Sequence, residues 1–213
     1  MKKRIISTIV ILATITLLMA AGGCAKKRAG ITPPPSVTIG IAGFYQPTST
    51  NEMLAGYMPE GTPRVDSKIF PQLDSDFEDL LRSSTSRDYY GTDRSYQCIR
   101  DNQGTASAAF AFWMNVGKCM NVDLLLVPQV HAWQEREGSE MGAELPAAVV
   151  MDFFLLDVKN QSLISRSRYD ERQKALAQNI LEVGKFIDRG GKWVTAHELA
   201  REGMKKAIKE MGL

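Results

Sequence analysis

The stretch AAVVMDFFLLDVKNQSLISRSRYDE, Ala147 to Glu171, decides the fold. Its first part, through Val158, is apolar at both parities, so a strand there has both faces covered. Its last part, Ser162 to Glu171, alternates more, the pattern of a strand nearer a sheet edge. Lys159, Asn160 and Gln161 supply polar turn material between them, and the whole reads as a β-hairpin. Asp152 and Asp157 are the only carboxylates set inside strongly apolar runs. A buried Asp152 needs partners: structurally it satisfies backbone or an arginine, and functionally it is an acid at a site.

Upstream, VDLLLVPQVHAW, Val122 to Trp133, is strand-like. The alanine- and aromatic-rich TASAAFAFWMNVGKCMN before it reads as a largely buried helix from about Ala106 to Met120, and RSYQCIR, Arg94 to Arg100, reads as another strand. Strand, helix, strand with a long crossover implies a parallel pair. Phe70, Leu73, Phe77, Leu80 and Leu81 recur at helical spacing, with Pro71 tolerable in a first turn. The β-branched run in SVTIGIAGF, Ser36 to Phe44, suggests an interior strand. Between these two lies the turn-rich stretch Tyr45 to Ser67, a length that in a compact domain is functional or disordered.

Downstream, Leu176, Ile180, Val183 and Ile187 form one helical stripe. A second runs from Ala196 through Leu199, Ala200, Gly203, Met204, Ala207 and Ile208 to Met211, opened by a capping box at Thr195 and Glu198. The expected fold class is α/β: a single domain, residues 37–213, whose mixed sheet holds a parallel βαβ unit, a β-hairpin and a C-terminal helix.

The N-terminus has a different character. Lys2, Lys3 and Arg4 precede the uncharged, apolar run Ile5 to Ala21, the pattern of a secretory signal peptide. AAGGC, Ala20 to Cys24, is similar to a bacterial lipobox, with Ala21 where leucine is usual. The expectation is therefore a signal peptide over 1–23 and lipid attachment at Cys24, with an uncleaved anchor or ordinary secretion as alternatives. Two or three acyl chains anchor stably where one does not. Residues 24–36 then form a tether ending in Pro33, Pro34 and Pro35, which favour extended polyproline II. Ala25 rather than aspartate after the cysteine implies the outer membrane by the sorting rule of enteric bacteria.

Without residues 1–23 the chain carries 23 basic against 24 acidic residues, so its apparent basicity belongs to the signal. No nucleic-acid footprint remains, since that needs a clustered basic face. Lys26, Lys27 and Arg28 suit anionic headgroups beside the anchor. For Cys98 and Cys119 two readings stand. Export favours a disulfide. A strand at Cys98 followed by a helix running back along it would instead carry Cys119 some 20 Å away, beyond the roughly 7 Å that bonded Cα atoms allow.

No complete catalytic, metal or cofactor constellation is present. AHELAR begins like a zinc-protease helix but places Arg201 where the second histidine belongs. RGGK, Arg189 to Lys192, lacks the P-loop spacing and reads as a chain reversal. A hydrolase would have to use His131 or His197. The connection His131 to Ala147 combines aromatic, charged and glycine residues, the material of a partner site, with Trp133 and Arg136 as candidate anchors. As loop residues these should contribute little to stability.

The order of elements after the tether resembles the group containing the curli secretion lipoprotein CsgG, the penicillin-binding-protein activator LpoB and the N-terminal domain of TolB. The closing stretch LAQNILEVGKFIDRGGKWVTAHELAREGM, Leu176 to Met204, is similar to bacterial lipoproteins with a Gly-Gly-Lys/Arg-Trp turn before the last helix. The resemblance implies a non-enzymatic, membrane-anchored periplasmic module that binds or assembles another envelope component. A self-assembling envelope subunit, and so a homo-oligomer, is the structural alternative. A CsgG-like channel would need more amphipathic strands than this chain offers.

Overall fold

The structure, a computed structural model, describes residues 32–34, 36–84, 87–173 and 187–213. The signal peptide, Cys24, most of the tether and the stripe through Leu176, Ile180 and Val183 lie outside them. Five strands form one mixed sheet in the order β2-β1-β3-β6-β7. They are β1 (Ile39–Ile41), β2 (Tyr89–Tyr90), β3 (Leu124–Gln134), β6 (Ala148–Asp157) and β7 (Ser162–Arg172), while β4 (Glu137–Gly138) and β5 (Ala143–Leu145) pair separately. β1 is parallel to β2 and β3, and β3-β6-β7 is antiparallel. The α-helices that pack with them among the described residues include α1 (Phe70–Ser84), α2 (Thr92–Asp101), α3 (Ala109–Met120) and α4 (Ala196–Met211).

The chain leaves β1 in one direction along the sheet to β2, then crosses back over β1 to β3. Right-handed connections in opposite directions put their helices on opposite faces. α1 accordingly joins α4 on the face of Met151, Phe153 and Leu155. α3 packs on Leu125, Val127, Phe154 and Leu156. β6 is buried on both faces and β7 alternates at the edge, as the hairpin pattern predicts. Phe44, Phe77 and Phe153 meet edge-on or tilted with ring centroids 5.3–6.0 Å apart. α4 starts at the expected capping box of Thr195 and Glu198. It lies close on the sheet because Gly203 has no Cβ; one placed there would fall 2.8 Å from Met151 Cε and Tyr169 Cγ.

Arg94 to Arg100 is corrected from strand to helix. Thr92, Ser95 and Cys98 are buried at every third position, the period of α2, and the strand of this region is the short β2 just before it. The correction removes the obstacle to a disulfide. With Cys98 on a helix packed beside α3, its Cα lies 5.7 Å from that of Cys119 and the two sulfurs are bonded. The tether's end is also not a free spacer: Arg87 donates to the carbonyl oxygens of Pro33 and Pro34.

Alkylation of denatured, unreduced protein should leave the peptides carrying Cys98 and Cys119 unmodified. Cys98→Ala should lower unfolding free energy by roughly 3 kcal/mol, the loop-closure value for a cross-link of this span.

Candidate functional site

The helix that covers the β6 face bearing Phe154 is too short for its sheet. α3, with 12 residues, is about 18 Å long, whereas the ten residues of β6 span about 33 Å. Beyond Phe154 that face carries Asp152 and Gln129 and then the small Ala132, Val150 and Ala148, with Gln134 at its end. The stretch Tyr45 to Ser67 folds over this region. Between its segment Met53 to Pro63 and the arginines of β7 it leaves a cleft of about 640 Å³.

That stretch is fastened rather than loose. Gln46 Nε2 donates to Pro63 O at 2.8 Å, and its Oε1 accepts from Val65 N at 2.9 Å, closing the base of the loop. Buried Gln129 on β3 donates to Glu52 O at 3.0 Å and to the Tyr45 hydroxyl. That hydroxyl also accepts from Trp113 Nε1 at 3.0 Å and donates to Glu52 O at 3.1 Å. Burial, foremost, pushes the Tyr45 hydroxyl pKa well above the usual tyrosine range, so it remains a neutral donor.

Under the cleft sits Asp152, which has no exposed surface. Arg166 grips it with two bonds, Nε to Oδ1 at 2.9 Å and Nη2 to Oδ2 at 2.8 Å. Arg168 Nη1 adds a third at 2.9 Å, and His131 Nε2 lies 2.9 Å from Oδ2. Register explains the convergence: Asp152 stands opposite Arg168 on β7 and Gln129 on β3, while a bulge between Val130 and Ala132 brings His131 beside it. Burial alone would raise the carboxyl pKa. The close contact of His131 and the hydrogen bonds from Arg166, reinforced by charge, outweigh it and hold the pKa at about 2.

The expected partner residues fall differently. His131 to Gln134 belong to β3, so Trp133 is corrected from loop to strand, half-buried against the α1–α4 core, with Nε1 bonded to Glu135 Oε1 at 2.6 Å. It borders the cleft; Arg136 does not, and donates instead to Trp193 O. The rest of the expected loop includes the β4–β5 hairpin. His197 Nε2 lies 2.6 Å from Asp76 Oδ2, and Arg201 pairs with the same carboxylate, so both link α4 to α1 on the other side of the sheet from His131. Among the described residues no group of three or more His, Cys, Asp or Glu could hold a metal. No serine or cysteine lines the cleft beside His131. At RGGK, Arg189 is bound to Glu202 and Glu171, Lys192 to Glu140, and both glycines have φ of +72°, as a reversal requires.

A second cavity, of about 490 Å³, lies at the carboxyl end of β1 between Tyr45, Tyr96, Phe112 and Trp113. The arginines at positions 166, 168 and 172 went unnoticed in the sequence, although their even spacing on β7 put them on the face of Asp152.

No family model and no curated protein matches the chain. Solved structures with a similar course include the PelC dodecamer from Paraburkholderia phytofirmans, at 13% identity and TM-score 0.47, covering 86% of this chain and 93% of that one. The LpoB C-terminal domain from Salmonella enterica is similar at 8% identity and TM-score 0.41, covering 68% and 87%. A lipoprotein from Neisseria meningitidis is similar at 11% and 0.42, covering 73% and 94%. These are distant likenesses of fold. Among the described residues no helix is long and apolar enough to cross a membrane.

Because the folded-state pKa of Asp152 lies below its unfolded value, its stabilisation is complete above about pH 4 and is lost as pH falls toward 2. It amounts to about 2 kcal/mol. Acid titration of unfolding free energy should show this component in wild type and lose it in Asp152→Asn. Trp133→Ala should cost about 2 kcal/mol in denaturant unfolding, since half a core tryptophan's contacts go with it.

Proposed function

We propose that the chain is an envelope lipoprotein that binds another envelope component in the cleft between the Met53 to Pro63 segment and β7, without chemical change to it. In this reading Cys24 carries the lipid and the domain stands on the periplasmic face of the outer membrane. The observation that carries the reading is the arrangement around Asp152. A wholly buried carboxylate holds two arginines and a histidine at an open cleft, and no serine or cysteine lines that cleft among the described residues. Such a constellation orients donors toward something that enters. The lipobox-like AAGGC and the basic residues after it support the anchor.

Tyr57, which is 74% exposed on the rim, is the position from which a partner is best reached. A photo-crosslinker there should give one discrete adduct in living cells. The same probe at Leu163, exposed at the far end of β7, should give none. Equal labelling from both positions, or labelling of lipid and water alone, would remove the cleft as the binding face.

Cys24→Ser should accumulate precursor and release the protein from detergent-extractable membrane. The mature wild-type chain should begin at residue 24 by mass spectrometry, and an intact Met1 would sink the anchor.

A further inference from the structure

An isolated carboxylate buried in a sheet is costly, and a well-packed apolar side chain at the same place is often as stable or more so. β6 is apolar on both sides of Asp152, with Val150 and Phe154 on the same face. The evident effect of the carboxylate is to fix side chains that reach the cleft. Arg166 is held by two bonds to it and lies over the Phe154 ring at 5.4 Å, and Arg168 is held by one. Guanidinium groups held in this way lose less freedom when they bind a planar or tetrahedral oxyanion.

The donors left over point the same way. Arg166 Nη1 and both terminal nitrogens of Arg172 have no partner among the described residues. Asp170, between these arginines in sequence, takes Arg168 Nη2 at 3.3 Å and Arg172 Nε at 3.4 Å. Charge-assisted bonds at full strength run to about 2.7–2.9 Å. Asp170 is thus a loosely held internal carboxylate that competes for guanidinium groups of the cleft. Its exposed pairs are worth little and are readily exchanged. The carboxylate that lines the cleft itself is Glu60, on the rim. The floor of Ala132, Ala148 and Val150 is small and apolar, with room above it for the body of a ligand.

We infer that the cleft takes an oxyanion, a carboxylate or phosphate, on Arg166, Arg168 and Arg172, in exchange for Asp170, with the ligand's apolar body on Ala132, Ala148 and Val150. This rests on the cleft being the binding face. The anion belongs either to a soluble molecule or to a lipid headgroup, because both present the same group.

The test uses the intact lipoprotein in nanodiscs of phosphatidylcholine, read by NMR of the arginine Nε–H signals. Phenyl phosphate and phenylacetate are the oxyanion probes; benzyl alcohol and phenethylammonium are the neutral and cationic ones. The oxyanions should shift the signals of Arg166, Arg168 and Arg172, and the other two should not. Arg172→Gln should weaken binding by about tenfold or more, the loss of one charged hydrogen bond. Asp170→Asn should tighten binding several-fold, which a merely structural ladder of ion pairs would not do. Nanodiscs containing phosphatidylglycerol that move the same signals without any soluble probe assign the anion to a headgroup; signals unmoved by them but moved by the probes assign it to a soluble ligand. Equal binding of benzyl alcohol, preference for phenethylammonium, or an Asp170→Asn protein with unchanged or weaker affinity overturns the inference. A discrete crosslink from Tyr57 that persists beside any of those results leaves the cleft as a binding face and removes only the oxyanion.

Discussion

Asp152 and Arg166 meet across one strand spacing in the middle of the sheet, and the open half of the molecule is arranged around that pair. Bidentate geometry lets a guanidinium satisfy both carboxylate oxygens at once, the condition under which a buried charge is tolerated. Arg168 and His131 complete the shell from the two neighbouring strands. The cluster therefore ties β3, β6 and β7 together on the part of this face that α3 does not reach. It also explains why, among the described residues, this half of the sheet is covered by a loop and no helix: its centre is held by ion pairs, and the residues around them are small.

Topology determines where that half lies. Crossovers in opposite directions from β1 place α1 and α3 on opposite faces, and α4 returns to the side of α1. One face is consequently covered by two helices, and the other by a single short helix with α2 beside it. The Cys98–Cys119 bond fixes α2 to α3, and the Tyr45 hydroxyl joins the covering loop to both α3 and β3. The hydroxyl anchors the loop near α3 and leaves its outer part, Met53 to Pro63, as the rim of the cleft.

Much of this was legible in the sequence because it follows from period. The hairpin, the parallel pair, α1, α3 and α4 each carry a clear repeat of two or of three to four residues. Arg94 to Arg100 misled because Tyr96, Cys98 and Arg100 alternate with smaller or polar residues over a stretch too short to separate the two periods. The buried positions, Thr92, Ser95 and Cys98, are small or polar and send little hydrophobic signal. Trp133 misled for a different reason: β3 continues through a bulge into residues whose composition resembles a loop. The site was visible only in halves. Asp152 stood out as a charge in an apolar run, but its partners on β7 look like an ordinary solvated edge until the register sets them opposite it.

The two cavities invite different uses. In open α/β sheets, ligands favour the crevice beyond the carboxyl ends of strands where the strand order reverses, and the aromatic cavity beyond β1 occupies that place. Its hydroxyls, however, are committed inward. Tyr45 is shared among Gln129, Trp113 and Glu52, and Tyr96 donates to Asp74, which also accepts Phe44 N at 2.7 Å. Trp113 is itself only 3% exposed. That cavity lies between α2, α3 and the loop, and its hydroxyls are already paired in holding those elements together. The cleft differs in the state of its donors, since the outer N–H groups of Arg166 and Arg172 face an opening and are not needed to hold any element in place. A ligand there adds bonds without removing structural ones, apart from the long contacts to Asp170. On that difference rests the proposal that the cleft, and not the aromatic cavity, is the binding face.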